Sequence, residues 1–254
     1  MPLEEIVRTK FGIQGLDSAL KGGIPEGNIV LISGGAGTGK STLALQYAVN
    51  GALLFGEKAL YISTEQGREE LIKQAAGFNW NINDLEQKSL VKIIYFDITV
   101  GENFMTKIDD AIQKFNPKRI VVDSLTTLTD SLLISGITDD SGFSMVQIAE
   151  SVNPIPRTEQ VVAKSILYKL FKELRKYRLT TLMTTELPES DGQLSADGVS
   201  EFIADGVIML NYVGVGSVDF RSLILRKMRY TDHNKATIPY AMESNGIVIK
   251  ESEI

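Results

Sequence analysis

Short apolar, β-branched runs alternate along this chain with segments whose apolar residues recur every three or four positions. The first kind suits buried strands, the second one face of a helix. Strands are predicted at residues 28–33, 58–63, 91–97, 119–124 and 180–185. Helices are predicted to open over 41–48 and to run over about 68–78, 103–115 and 160–178. In the helix before Pro117, Phe104, Ile108, Ala111, Ile112 and Phe115 share a face. In the last helix Leu167, Leu170, Phe171 and Leu174 form the apolar stripe. Its other face carries Lys164, Lys169, Lys172, Arg175 and Lys176, and reads as a solvated surface. A short helix at 16–20 precedes a turn through Gly22, Gly23, Pro25 and Gly27. The stretch 130–159, with Pro154 and Pro156, is predicted to be irregular.

Alternating strands and helices over the first 185 residues imply a mostly parallel, twisted α/β sheet with helices on both faces. The last third is strand-rich, at 206–210, 222–228, 237–240 and 246–250, with a hairpin turn at 214–217. It is predicted to be an antiparallel extension. No stretch reads as a linker and no repeat is visible, so one domain over 1–254 is expected.

Between the first long strand and its helix lies Gly34-Gly35-Ala36-Gly37-Thr38-Gly39-Lys40-Ser41, the G-x-x-x-x-G-K-S pattern of a P-loop. Glycines let the backbone close around an anion, so that successive N–H groups point at phosphate oxygens. The helix N-terminus adds the positive end of its dipole. Gly35, Ala36, Gly37, Thr38, Gly39, Lys40, Ser41 and Thr42 are therefore the expected nucleotide-binding set. Lys40 is expected to reach the β- and γ-phosphates of ATP, and the Ser41 hydroxyl to hold Mg²⁺.

Hydrolysis needs carboxylates opposite that cradle. Asp123 closes an apolar strand and is the expected second metal ligand, the Walker B position. Glu65 ends the strand after the P-loop helix, where ligands of parallel sheets bind, and is the expected water-activating base. Thr184 or Thr185 ends a strand expected beside Asp123. Arg226-Lys227-Met228-Arg229 is a late basic strand end.

Composition narrows the chemistry. The chain has 254 residues, no cysteine and one histidine, His233, which excludes thiolate chemistry and multi-histidine metal sites. Apolar runs are too short for a membrane helix, and residues 1–10 lack a signal-peptide core, so a cytoplasmic protein is expected. A net charge of −6 is a poor footprint for non-specific nucleic-acid binding.

Several motifs together resemble a KaiC-type domain of the RecA superfamily. They are Gly12-Ile13-Gln14-Gly15-Leu16-Asp17, Gly22-Gly23-Ile24-Pro25-Glu26-Gly27, the P-loop, Ala59-Leu60-Tyr61-Ile62-Ser63-Thr64-Glu65, Ile203-Ala204-Asp205-Gly206-Val207-Ile208 and Lys227-Met228-Arg229-Tyr230-Thr231-Asp232-His233. The last, K-M-R-x-T-x-H, is the most discriminating. The chain looks most like archaeal single-domain KaiC-like proteins, including the RadA-paralogue group. The resemblance implies a RecA-like core, ATP and Mg²⁺ as ligands, slow ATPase activity, and a homo-oligomer, often a hexameric ring, with ATP between subunits. It implies that Lys227 and Arg229 act on the γ-phosphate bound by a neighbouring subunit, and that Thr231 and His233 flank that nucleotide. The chain departs from the usual pair of adjacent glutamates, having Glu65-Gln66.

Three readings follow: a self-assembling ATPase that regulates a protein partner, a recombination accessory that binds single-stranded DNA, or a scaffold that holds ATP without hydrolysing it. The loops where RecA-type proteins contact DNA oppose the second. Residues 130–160 carry Asp130, Asp139, Asp140, Glu150 and Glu159 against Arg157, and residues 186–201 carry five acids and no base.

Overall fold

The computed structural model describes residues 6–97, 104–135, 158–187, 194–215 and 218–250. Its centre is a nine-stranded sheet among these residues, in which β-branched runs become strands buried on both faces. The parallel strands are β3 (Ile29–Gly34), β4 (Ala59–Ser63), β5 (Val91–Tyr95), β6 (Arg119–Asp123), β7 (Thr180–Glu186) and β8 (Gly206–Val215). Antiparallel β9 (Val218–Met228), β10 (Ile238–Glu243) and β11 (Gly246–Ile249) extend the β8 edge. The order across the sheet is β11-β10-β9-β8-β3-β7-β6-β4-β5. Two short strands, β1 (Arg8–Thr9) and β2 (Ile24–Pro25), pair separately.

Alternate side chains feed two cores. Val30 and Ile32 of β3, Tyr61 of β4 and Val121 of β6 pack with α1 (Gln14–Ala19), α2 (Lys40–Phe55), α3 (Arg68–Ala76) and α4 (Ile82–Gln87). Ile29 and Leu31, Leu60 and Ile62, Ile120 and Val122 turn the other way. They meet α5 (Phe104–Phe115), α6 (Leu125–Ser135), α7 (Thr158–Lys176) and α8 (Ser200–Ile203). This is the period of two expected of a doubly covered sheet.

Each expected strand forms, and β8 and β9 are longer than expected because their pairing runs on beyond the apolar stretches. Among the helices, one expectation fails in detail, and one element was not expected. Residues 130–135 are helical, the end of α6, rather than irregular. Leu125 and Leu128, in its first turns, are fully buried and anchor the helix that runs on through Ser135. The short α4, capped by the Asn81 side chain accepting from the Asp84 N–H at 3.1 Å, was not anticipated. Of the hairpin turn expected at 214–217, Gly214 and Val215 are instead the end of β8, paired with Asp219 and Val218; residues 216–217, like 136–157, lie outside the described residues. No helix among the described residues is long and apolar enough to cross a membrane.

Candidate nucleotide and metal site

The P-loop leaves the carboxyl end of β3 and enters α2 at Lys40. Gly37 and Gly39 have φ of 72° and 93°, values that L side chains rarely adopt. A Cβ on Gly35 or Gly37 would meet nothing within 4 Å, so the space beside these two loop residues is open. Lys40 Nζ donates to the Gly35 carbonyl at 3.0 Å, and Thr38 Oγ1 donates to the same oxygen at 2.9 Å. Burial pulls the Lys40 ammonium below the usual lysine range, against the opposing pull of Glu186, Glu65 and Asp123.

Asp123 ends β6 two strands from the P-loop, with β7 between them. Its Oδ1 accepts from Ser41 Oγ at 3.2 Å and from Thr184 Oγ1 at 2.5 Å. Its Oδ2 accepts from the buried Tyr61 phenol at 2.6 Å. Burial pushes this carboxyl above its ordinary value, although the three hydroxyls favour the charged form. Ser41 and Asp123 thus share one point at the mouth of the P-loop. Hydroxyl and carboxylate oxygens are the donors Mg²⁺ takes, so the residues present fit that ion. Asp123 does not cap the following helix, because the Thr127 N–H donates to Ser124 Oγ at 3.2 Å instead.

Glu65 lies at the end of the adjacent strand β4 and is exposed. Its Oε1 accepts from Thr127 Oγ1 at 2.9 Å and from Ser124 Oγ. The hydroxyls of Ser124 and Thr127 therefore orient the carboxylate, and neither was singled out from sequence. Glu65 does not cap α3, whose N-cap is Gly67.

The late basic motif lies elsewhere in the same chain. Val30 pairs with Gly206, Gly206 with Met228, and Lys227 with Val207, which places the motif at the entry end of β3, away from the P-loop. Lys227 Nζ donates to the carbonyls of Glu201, Phe202 and Ala204 at 3.0, 3.2 and 2.7 Å. Burial, and then Arg229, pull its ammonium down. Arg229 Nη1 donates to Asp205 Oδ1 at 2.8 Å, beside Arg175 at 3.1 Å. Thr231 Oγ1 accepts from Arg8 Nη1 at 2.8 Å. His233 lines a groove of about 540 Å³ with Gly15, Lys21, Thr237 and Lys250. None of these four residues shares a hydrogen bond with the P-loop of its own chain among the described residues.

A family model for the KaiC ATPase matches residues 9–135 and 134–254. The chain belongs to the KaiC family. Among KaiC relatives, the circadian clock oscillator protein KaiC of Parasynechococcus marenigrum is 28% identical over 258 residues, covering 96% of this chain and 45% of its own length. The circadian clock protein KaiC2 of Synechocystis is 30% identical over 254 residues, covering 96% of this chain and 40% of its own. The chain thus spans less than half the length of these two relatives. A KaiC-like protein from the hyperthermophilic archaeon Pyrococcus horikoshii superposes with a TM-score of 0.77 at 32% identity, covering 97% of this chain and all of that one. Membership of the KaiC family makes this an ATP-binding protein of RecA-like fold.

Two acids of the second loop find structural work in this KaiC-type fold. Asp197 Oδ1 accepts from the N–H groups of Val199 and Ser200 at 2.7 and 2.6 Å. Glu201, 8% exposed, accepts from Ser195 Oγ. Residues 188–193 of that loop lie outside the described residues.

Proposed function

We propose that this chain works as one KaiC-type unit that binds ATP with Mg²⁺ and hydrolyses it slowly, in an assembly whose nucleotide sites lie between subunits. The observation that carries the reading is the meeting of Ser41 and Asp123 at 3.2 Å beside an open glycine loop, with Glu65 at the next strand end. The N–H groups from Gly35 to Gly39 cradle the phosphates, with Ala36, Thr38 and Thr42 completing the loop and helix start. Lys40 moves from the Gly35 carbonyl to the β- and γ-oxygens. Ser41 and Asp123 would hold the metal, which would supply positive charge beside the phosphates. Glu65, steadied by Thr127, takes a proton from the attacking water.

Lys227 and Arg229 cannot serve that nucleotide from within the chain, because they stand at the other end of the sheet. We assign them to the neighbour's γ-phosphate, with Thr231 and His233 beside the same nucleotide. Charge supplied across an interface makes turnover depend on assembly, which suits a regulator of a partner protein.

The test is the ATPase rate per subunit at several protein concentrations, with EDTA, with single-stranded DNA, and for Glu65→Gln. The expected result is a rate that rises with concentration, vanishes with EDTA, ignores DNA and falls at least about 100-fold in the variant. A concentration-independent rate sinks the shared site. Turnover unchanged in Glu65→Gln removes that residue as the base. Clear stimulation by DNA favours the recombination-accessory reading.

A further inference from the structure

Thr38 and Gly39 share one peptide unit of the phosphate cradle. In a trans peptide the C=O and the following N–H point in opposite directions. Whatever holds the Thr38 carbonyl therefore aims the Gly39 N–H.

That holder comes from the far end of the sequence. Tyr240, on β10, donates its hydroxyl to the Thr38 carbonyl at 2.5 Å. The residue is only 4% exposed, so water does not compete for the bond. Burial pushes its phenol up to about 12, which keeps it a donor at any working pH. Next on the same strand face, the Met242 side chain lies against Gly39, its Cε 2.2 Å from where a Cβ would stand. The hairpin is itself pinned to the helix that follows the loop. Gln46 of α2 donates to the Ile247 carbonyl at 3.1 Å and accepts from the Ile247 N–H at 2.7 Å. The antiparallel extension is thus a brace beneath the P-loop, tied to the helix on the loop's other side.

We propose that Tyr240 is a positioning residue for the phosphate cradle, holding the Thr38–Gly39 peptide with its N–H turned toward the bound phosphates. The inference rests on the nucleotide-binding reading above. It places part of the nucleotide site's scaffold about two hundred residues downstream of the P-loop, on a strand that carries no phosphate-binding pattern of its own.

The test is Tyr240→Phe, which keeps the ring and removes the donor. Calorimetric titration of ADP and ATP with Mg²⁺ is compared for wild type and variant, and hydrogen exchange is followed over residues 34–41 without nucleotide. Expected are a loss of about five- to fifty-fold in affinity for both nucleotides and faster exchange across the loop, since a buried carbonyl loses the Tyr240 donor. A purely structural bond would lower the unfolding midpoint and leave the affinity of the folded protein unchanged; that outcome overturns the proposal. Unchanged loop exchange overturns it as well. Wild type that binds neither nucleotide defeats the functional reading first, and this inference with it. Normal wild-type binding with an equally tight variant defeats this inference alone.

Discussion

Arg229 rests its guanidinium on the Asp205 carboxylate, Nη1 to Oδ1 at 2.8 Å, at the end of the sheet opposite the P-loop. Arg175 shares that oxygen, and the Ile29 N–H donates to the other at 3.0 Å. The arginine is half-exposed and its partner buried, so Asp205 presents Arg229 outward. On the reading proposed above, such a residue serves a neighbour's nucleotide and not that of its own chain. Arg229→Ala should therefore lose about 10³-fold or more in turnover while binding ATP normally. Lys40→Ala should lose binding. Mixing the two inactive variants should restore activity, because one keeps the loop and the other the arginine. Failure of the mixture to recover under conditions where wild-type subunits exchange would place Arg229 outside the reaction.

Asp123 is carried at a cost in the nucleotide-free fold. Burial raises its pKa above the ordinary carboxyl value despite hydroxyl donors from Thr184, Tyr61 and Ser41. The folded state then binds this proton more tightly than the unfolded chain. Its contribution to stability is greatest at low pH and declines as pH rises from the unfolded value through the raised folded one. Asp123→Asn should remove that decline and leave nucleotide-free stability at neutral pH equal or higher. It should also abolish the gain in ATP affinity on adding Mg²⁺. Urea unfolding of both proteins across the acid range, and ATP titration with Mg²⁺ or EDTA, check the two halves.

Gly39 is required twice over. Its φ of 93° resists any Cβ, and the Met242 Cε lies 2.2 Å from where one would stand. Gly39→Ala should weaken nucleotide binding at least about tenfold, from backbone strain of roughly 1–2 kcal/mol plus the clash. Adding Met242→Ala should recover the clash component and leave the strain. A double-mutant cycle on ADP affinity measures this coupling; simple additivity would count against the contact.

Arg119, with a wholly buried side chain, donates through Nε to Glu57 at 3.0 Å and through Nη1 to the Tyr47 and Lys10 carbonyls at 2.9 and 3.1 Å. Its guanidinium also stacks over the Tyr47 ring, 4.4 Å from the centroid. It starts β6, the strand that Asp123 ends. Glu57→Gln leaves the cation its carbonyls and ring but no counter-charge. A loss of about 1–3 kcal/mol in unfolding free energy is expected, with ATP affinity of the folded protein unchanged. Denaturant titration and calorimetry check the pair.

The parallel core was legible because burial on both faces demands uniformly apolar strands, and those runs stand out against amphipathic helices. The P-loop was legible because a phosphate cradle is local: eight consecutive residues carry its glycines, its lysine and its hydroxyl. Asp123 and Glu65 were legible as strand-end acids, since parallel strands bring their carboxyl ends to one edge. α4 was missed because six residues with one cap leave little periodicity to read. The helical end of α6 was missed because it runs straight into a Ser-, Thr- and Pro-bearing stretch with no helical periodicity.

Strand order is where sequence ceased to inform. Nothing local states that β7 inserts between β3 and β6, yet this sets Thr184 rather than Thr185 on the Asp123 carboxylate. Nor does any pattern near position 240 announce a bond to Thr38, or any near 229 a contact with Asp205. Such pairings depend on which strands lie side by side and in what register, and register is decided by the packing of whole faces. Sequence by itself determined the chemistry on offer: a phosphate loop, two acids and a distant basic motif. Only the folded sheet decided that the loop and acids share one end, and that the basic motif stands at the other.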